Sequence, residues 1–153
     1  SRIVSKSNWS IDEEERMKTI DMQLMRYLNL FEKITRIRTK YCFFYNNTIV
    51  FLVEAHFVSR AVGENGRHVK KLAEILGKKI KIIQTPAGDK DIGRFIAAIV
   101  EPIQFNSLEV TENDVIINAG RQSKAILIGR NKTRLIEIQK IIKEYFNKEL
   151  KII

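Results

Sequence analysis

One cysteine, two prolines and one tryptophan are all that the 153 residues hold of those types. Cys42 alone closes no internal disulfide and has no Cys or nearby His partner at a zinc-ligand spacing, which excludes a disulfide framework and a Cys-rich metal site. A reducing, cytoplasmic setting is the default expectation. Long apolar runs are also missing: 49–53 and 96–100 fall far short of the roughly 18–20 residues that span a bilayer. Acids are outnumbered, 18 Asp and Glu against 27 Lys and Arg, for a net charge of +9 and a pI near 9.7. With 44% hydrophobic residues the chain can bury a core, so a disordered basic tail is excluded, and its length allows one domain or two very small ones.

The charge is unevenly spread. Residues 17–84 carry 13 Lys and Arg against 5 Asp and Glu, whereas residues 85–153 carry 11 against 9. A concentrated excess points to a polyanion, because each phosphate neutralised by Lys or Arg releases condensed counterions. A membrane surface fits less well, since the helical apolar stripes are needed for a core.

Leu24, Tyr27, Leu28, Phe31 and Ile34 recur at spacings of three and four, which predicts an amphipathic helix over 17–35. Residues 41–45 and 48–53 are aromatic and β-branched, and Asn46-Asn47 between them suits the positive φ of a hairpin turn. Residues 55–62 and 67–76 read as two short helices around Gly63-Glu64-Asn65-Gly66, with Gly77 as a C-cap and a strand at 80–83. Thr85-Pro86-Ala87-Gly88 is the only Pro/Gly-rich stretch and marks a boundary. The grammar then repeats: a helix over 91–101 stopped by Pro102, strands at 107–111 and 115–118 turning at Asn113-Asp114, a helix over 124–128, the turn Gly129-Arg130-Asn131-Lys132, a longer helix after it, and a strand at 150–153. Residues 1–16 are expected to be a flexible N-terminal extension or tag, with Trp9, Ser10 and the acids at 12–15 resembling a capped helix start.

Both halves are thus α-β-β-α-α-β, and the repeat shows in residues: Ala61-Val62-Gly63-Glu64-Asn65 against Leu127-Ile128-Gly129-Arg130-Asn131, and Ile80-Lys81-Ile82-Ile83 against Leu150-Lys151-Ile152-Ile153. An apolar pair, Gly-x-x-Gly, a basic amphipathic helix and a short strand resemble the core of a KH domain. The element order is similar to the type found in bacteria and archaea, and two such units in tandem resemble the archaeal NusA-like transcription termination and antitermination factors. The resemblance covers about 17–153. It implies an α+β fold of two tandem type II (prokaryotic) KH domains, over 17–84 and 91–153 with a linker at 85–90, each a three-stranded sheet packed by helices. It also implies single-stranded nascent RNA as ligand and a role in transcription elongation, termination or antitermination. Bacterial members carry a polymerase-binding N-terminal domain and an S1 domain, for which this chain has no room, so any contact with RNA polymerase must use another surface.

The candidate RNA-binding residues are Gly63, Glu64, Asn65, Gly66, Arg67, Lys70 and Lys71 in the first unit, and Gly129, Arg130, Asn131, Lys132 and Arg134 in the second. Glycines let the main chain turn tightly and approach phosphate, and free N–H groups at the following helix start point at it. Arg67, Lys70 and Lys71 sit in the first turns of a helix, where the macrodipole disfavours cations, a placement that suits an external anion. Glu64 opposes it. In the second loop Lys132 stands in the place of the second glycine, held either at negative φ or in the left-handed region at a cost of about 1 kcal/mol. Whether that loop binds is left open.

Val62, Val69, Ile128 and Leu135 are the groove candidates. Neither loop holds an aromatic residue, which removes strong base stacking as the main source of affinity. The blander readings are a helix cap and turn for the glycines, a solvated face for the cations, and core packing for Phe43, Phe44, Tyr45 and Cys42. His56 and His68 read as packing or surface groups, with His68 within reach of RNA. No P-loop spacing, catalytic triad, paired acids or metal-ligand cluster is present, so no enzyme, cofactor or metal is expected. The alternatives are a ribosome- or rRNA-associated KH protein and a KH-fold protein adaptor that binds no RNA. The oligomeric state is not legible, with a monomer as the default.

Overall fold

Leu24, Leu28 and Phe31 form the buried stripe of helix α1 (Ile11–Thr35), at spacings of four and three that place them on one face. The computed structural model describes residues 11–39 and 41–153. The helix starts at Ile11 rather than at 17, because acids at 12–15 suit a first helical turn as well as a loop. The capped start read at Trp9 and Ser10 lies outside the described residues.

After α1 come strands β1 (Tyr41–Tyr45) and β2 (Thr48–Val53), joined by Asn46 and Asn47 at φ of 52° and 57°, the paired left-handed residues of a type I′ hairpin turn. Helices α2 (Val58–Val62) and α3 (Arg67–Leu76) follow, then strand β3 (Lys79–Gln84). The sheet order is β1-β2-β3, with β2 and β3 parallel from Thr48 opposite Lys79 to Val53 opposite Gln84. Parallel neighbours require a crossover, and the α2–loop–α3 pair is that crossover. Beneath it Phe31 stacks on Phe51 with ring centroids 4.5 Å apart, and Ala61 and Leu72 have no exposed surface. Each large side chain so buried contributes about 1.5–3 kcal/mol.

The second half uses the same order: α4 (Ile92–Val100), β4 (Ser107–Val110), β5 (Asp114–Asn118), α5 (Arg121–Ile128), α6 (Thr133–Phe146) and β6 (Glu149–Ile152). Its sheet runs β4-β5-β6, with β4 antiparallel and β6 parallel to β5. Ile92, Phe95, Ile96 and Ile99 of α4 are buried, as are Val115, Ile117, Ile138, Ile142 and Leu150. Boundaries in this half shift from the sequence expectation by up to three residues, α5 starting at Arg121 rather than 124 and Asp114 belonging to β5 rather than to the turn. For Asp114 the reason is Thr111, since its N–H donates to the Asp114 carbonyl at 2.8 Å and its hydroxyl accepts the Asp114 N–H at 3.0 Å, closing the turn over 111–114.

The chain divides into two units, one of residues up to Phe43 with Asn47–Gln84, the other of Phe44–Asn46 with Thr85–Ile153. From Tyr41 to Gly63, structural positions recur sixty-six residues on: Tyr41 and Ser107, Thr48 and Asp114, Gly63 and Gly129. Among the described residues no helix is long and apolar enough to cross a membrane, and no group of three or more His, Cys, Asp or Glu could hold a metal ion.

Candidate nucleic-acid interface

The two crossover loops have the same backbone. Gly63 lies at φ 83°, ψ 163° and Gly129 at 74°, 171°; Asn65 lies at 58°, 25° and Asn131 at 57°, 27°. Gly66 lies at 72°, 22°, and Lys132 takes that left-handed position at 61°, 21°. The second loop therefore resolves the choice left open by the sequence: Lys132 is held at positive φ, at a cost of roughly 1–2 kcal/mol for an L-residue. A Cβ on Gly66 would meet nothing within 4 Å, so space permits the lysine and only the dihedral opposes it.

The first glycine of each loop is required twice over. A Cβ on Gly63 would lie 2.9 Å from His68 Nδ1, and one on Gly129 2.7 Å from Arg134 Cγ. His68 and Arg134 are equivalent positions, each laid over its loop. His68 Nδ1 is 3.2 and 3.1 Å from the carbonyls of Arg60 and Ala61. With both partners acceptors, Nδ1 carries the hydrogen, and the ring ties α3 to the end of α2. Arg134 forms an ion pair with Glu137 one turn along α6, so its charge is engaged within the helix.

Neither α3 nor α6 has an acid in its first turn or a side chain capping its N-terminal amides. Both N-termini thus present partial positive charge to solvent beside exposed cations. Around the first loop these are Arg67, Lys70 and Lys71, all exposed, with Glu64 exposed among them. Around the second they are Arg130 and Lys132, both exposed. The loops differ in sign at one position, Glu64 against Arg130.

The first loop opens on a cleft of about 760 Å³ whose walls include Ile34 and Arg36 from the end of α1, His56, Arg60, Gly63, Glu64, Arg67 and His68. Val62 and Val69, the apolar groove residues expected from sequence, are half-buried and do not line it; in the second unit Ile128 and Leu135 are likewise half-buried. Three arginines against one glutamate make it a cationic cleft. Sequence reasoning missed Arg36, His56 and Arg60. Sixty-six residues on, the second unit has Gln122 and Ile126 in place of His56 and Arg60.

Fold and loops together define a protein of two α+β units, each presenting a glycine-started loop and an uncapped basic helix start. Comparison with known proteins names the kind. The chain is 30% identical over 130 residues to the "Probable transcription termination protein NusA" of Methanococcus vannielii, covering 80% of this chain and 73% of that one. It is 29% identical over 122 residues to the protein of that name in Methanocaldococcus jannaschii, of which it spans 65%, and 22% identical to that of Thermoplasma acidophilum, of which it spans 90%. Among solved structures, the crystal structure of APE1850 matches with a TM-score of 0.60 and 25% identity over 84% of this chain and 95% of the other. No family model matches. The chain belongs to the family of archaeal NusA-like transcription termination proteins, a family named for transcription termination and not for a catalysed reaction.

Proposed function

We propose that the protein is a cytoplasmic, non-enzymatic RNA-binding factor that holds single-stranded nascent RNA across two tandem type II KH domains, over 17–84 and 91–153, during transcription elongation and termination, with RNA polymerase as its protein partner. The observation that carries the reading is the shared backbone of the two loops, each leading into a helix start that lacks acids and caps. A backbone repeated to within about 10°, even where Lys132 must be held left-handed for it, is more than a solvated turn needs. The ligand class follows from charge and geometry: amides and cations for phosphate, and an adjoining cleft for bases.

Binding of a randomised short RNA pool at two salt concentrations tests it, with the wild type, a Gly66→Asp/Lys70→Ala variant and an Arg130→Asp/Lys132→Asp variant. Both variants are expected to lose affinity, with a flatter salt dependence. Loss in the first alone would reduce the second unit to a scaffold. If the unmutated protein binds no RNA, the protein-adaptor alternative takes its place.

A further inference from the structure

The cleft of the first unit borders a stack that the loops lack, with His56 and Arg60 in its lining and Phe57 behind them. The Arg60 guanidinium carbon lies 5.0 Å from the centroid of the Phe57 ring, within the range of a cation–π contact. On the same aromatic residue the His56 ring lies 4.2 Å away, centroid to centroid, at an interplanar angle of 41°. Phe57 is half-buried, whereas His56 and Arg60 are exposed and line the cleft beside the Gly63–Gly66 loop. Arg60 is fixed at both ends: its carbonyl faces His68 Nδ1, and its guanidinium is held by Phe57. Arg36, at a φ of 64°, also lines the cleft from the end of α1.

We propose that His56, Phe57 and Arg60 form a nucleobase-stacking shelf in the first unit, which holds an unpaired RNA base by its face while the Gly63–Gly66 loop and the start of α3 hold the adjoining phosphates. A guanidinium plane pre-oriented by an aromatic ring stacks on a base without the entropy loss of ordering a free arginine. Every base has a π-face, so the shelf adds affinity and dependence on the presence of bases with little sequence preference. The second unit carries Gln122, Ser123 and Ile126 at the equivalent positions and has no such shelf. Its grip depends on Arg130 and Lys132, which address the backbone. The two units thereby divide the work, the first holding bases as well as phosphates and the second phosphates.

This inference rests on the RNA-binding reading, and the experiment separates the two. Fluorescence anisotropy measures binding of an unstructured single-stranded RNA octamer, and of the same octamer with abasic residues throughout, to the wild type, Arg60→Lys, Phe57→Leu and the Gly66→Asp/Lys70→Ala variant; thermal melting checks that each is folded. Arg60→Lys keeps the charge and removes the plane. It is expected to weaken binding of the base-bearing octamer roughly fivefold or more, to leave the abasic octamer within about twofold, and to leave the salt slope unchanged. Phe57→Leu is expected to act in the same direction. If Arg60→Lys binds both octamers as the wild type does, or loses equally on both, the shelf is overturned while RNA binding stands. If the wild type binds neither octamer, the RNA reading falls and takes the shelf with it.

Discussion

At the scale of single residues, the loops show which glycine the backbone needs and why. Gly63 sits at φ 83° with a Cβ position 2.9 Å from His68 Nδ1, whereas Gly66, at φ 72°, has open space around its Cβ. Gly63→Ala must therefore strain the dihedral and displace the imidazole that ties α3 to α2, and Gly66→Ala only strains the dihedral. Urea unfolding should show a loss of about 1 kcal/mol for Gly66→Ala and roughly 2–3 kcal/mol for Gly63→Ala. Equal losses would mean that the His68 contact contributes nothing. The left-handed turn at Asn46-Asn47 was legible in the sequence, because Asn tolerates that region. Lys132 was not, because a lysine there is uphill locally and is held by the loop as a whole. The arginine and histidine walls of the cleft were illegible for a different reason: they converge from the end of α1 and from the stretch before Gly63, residues far apart in sequence that only the crossover brings together.

At the scale of elements, each unit uses a lysine just before its last strand to fasten its hairpin turn. Helix α3 ends at Gly77 with φ 66°, and Lys78 Nζ then donates to Asn47 Oδ1 at 2.9 Å. Helix α6 ends at Asn147 with φ 55°, and Lys148 Nζ donates to the carbonyls of Thr111 and Glu112 at 2.7 and 2.6 Å and lies 3.3 Å from Asp89 Oδ2. The contacts are alike but the burial is not, for the Lys148 side chain is only 5% exposed. Charged hydrogen bonds in a buried site count for about 1.5–3 kcal/mol, while surface ones sit within about 0.5 kcal/mol of nothing. Lys148→Met should therefore lower unfolding stability by roughly 2 kcal/mol and Lys78→Met by less than about 0.5. The gap between them is the measurement. Both positions look like ordinary surface lysines in the sequence.

The start of α4 carries a second fastening. Arg94 donates from Nε to Asp91 Oδ1 at 2.7 Å, and Asp91 Oδ2 accepts the Ala87 N–H at 2.9 Å, so residues 87–91 are folded back on the helix. The Arg94 hydrogen bond, helped by that from Ala87, holds the Asp91 carboxyl below its ordinary value of 3.8. A folded-state pKa below the unfolded one gives stability that is present above the unfolded value and is lost as pH falls through the folded value. Asp91→Asn should accordingly remove a small acid-side decline in stability from about pH 4 downward and cost little at neutral pH, the pair being solvent-exposed. Denaturant midpoints at pH 7 and pH 3 would show it as a smaller gap in the variant.

At the scale of the whole chain, repetition and charge were the legible features. The α-β-β-α-α-β order could be read twice because each strand and helix has its own period of apolar residues, and the turns are written in Asn, Gly and Pro. What the repeat conceals is divergence of role. The excess of eight positive charges over residues 17–84 lies almost wholly from Arg36 onward, in the cleft, in α3 and in the lysines at 78, 79 and 81, while the second unit is nearly balanced and puts a local cluster into its loop. Salt dependence reads this difference directly, since each phosphate contact on a single strand contributes about 0.7 to the slope of log affinity against log salt. Replacing Arg67, Lys70 and Lys71 by alanine should reduce the slope by about 2, and replacing Arg130 and Lys132 by about 1.4, if each cation meets one phosphate. Glu64→Arg, which gives the first loop the residue of the second, should raise the slope by about 0.7 through one added contact. A slope unmoved by Glu64→Arg would place the RNA backbone away from that loop, and with it the direction in which the strand crosses the first unit.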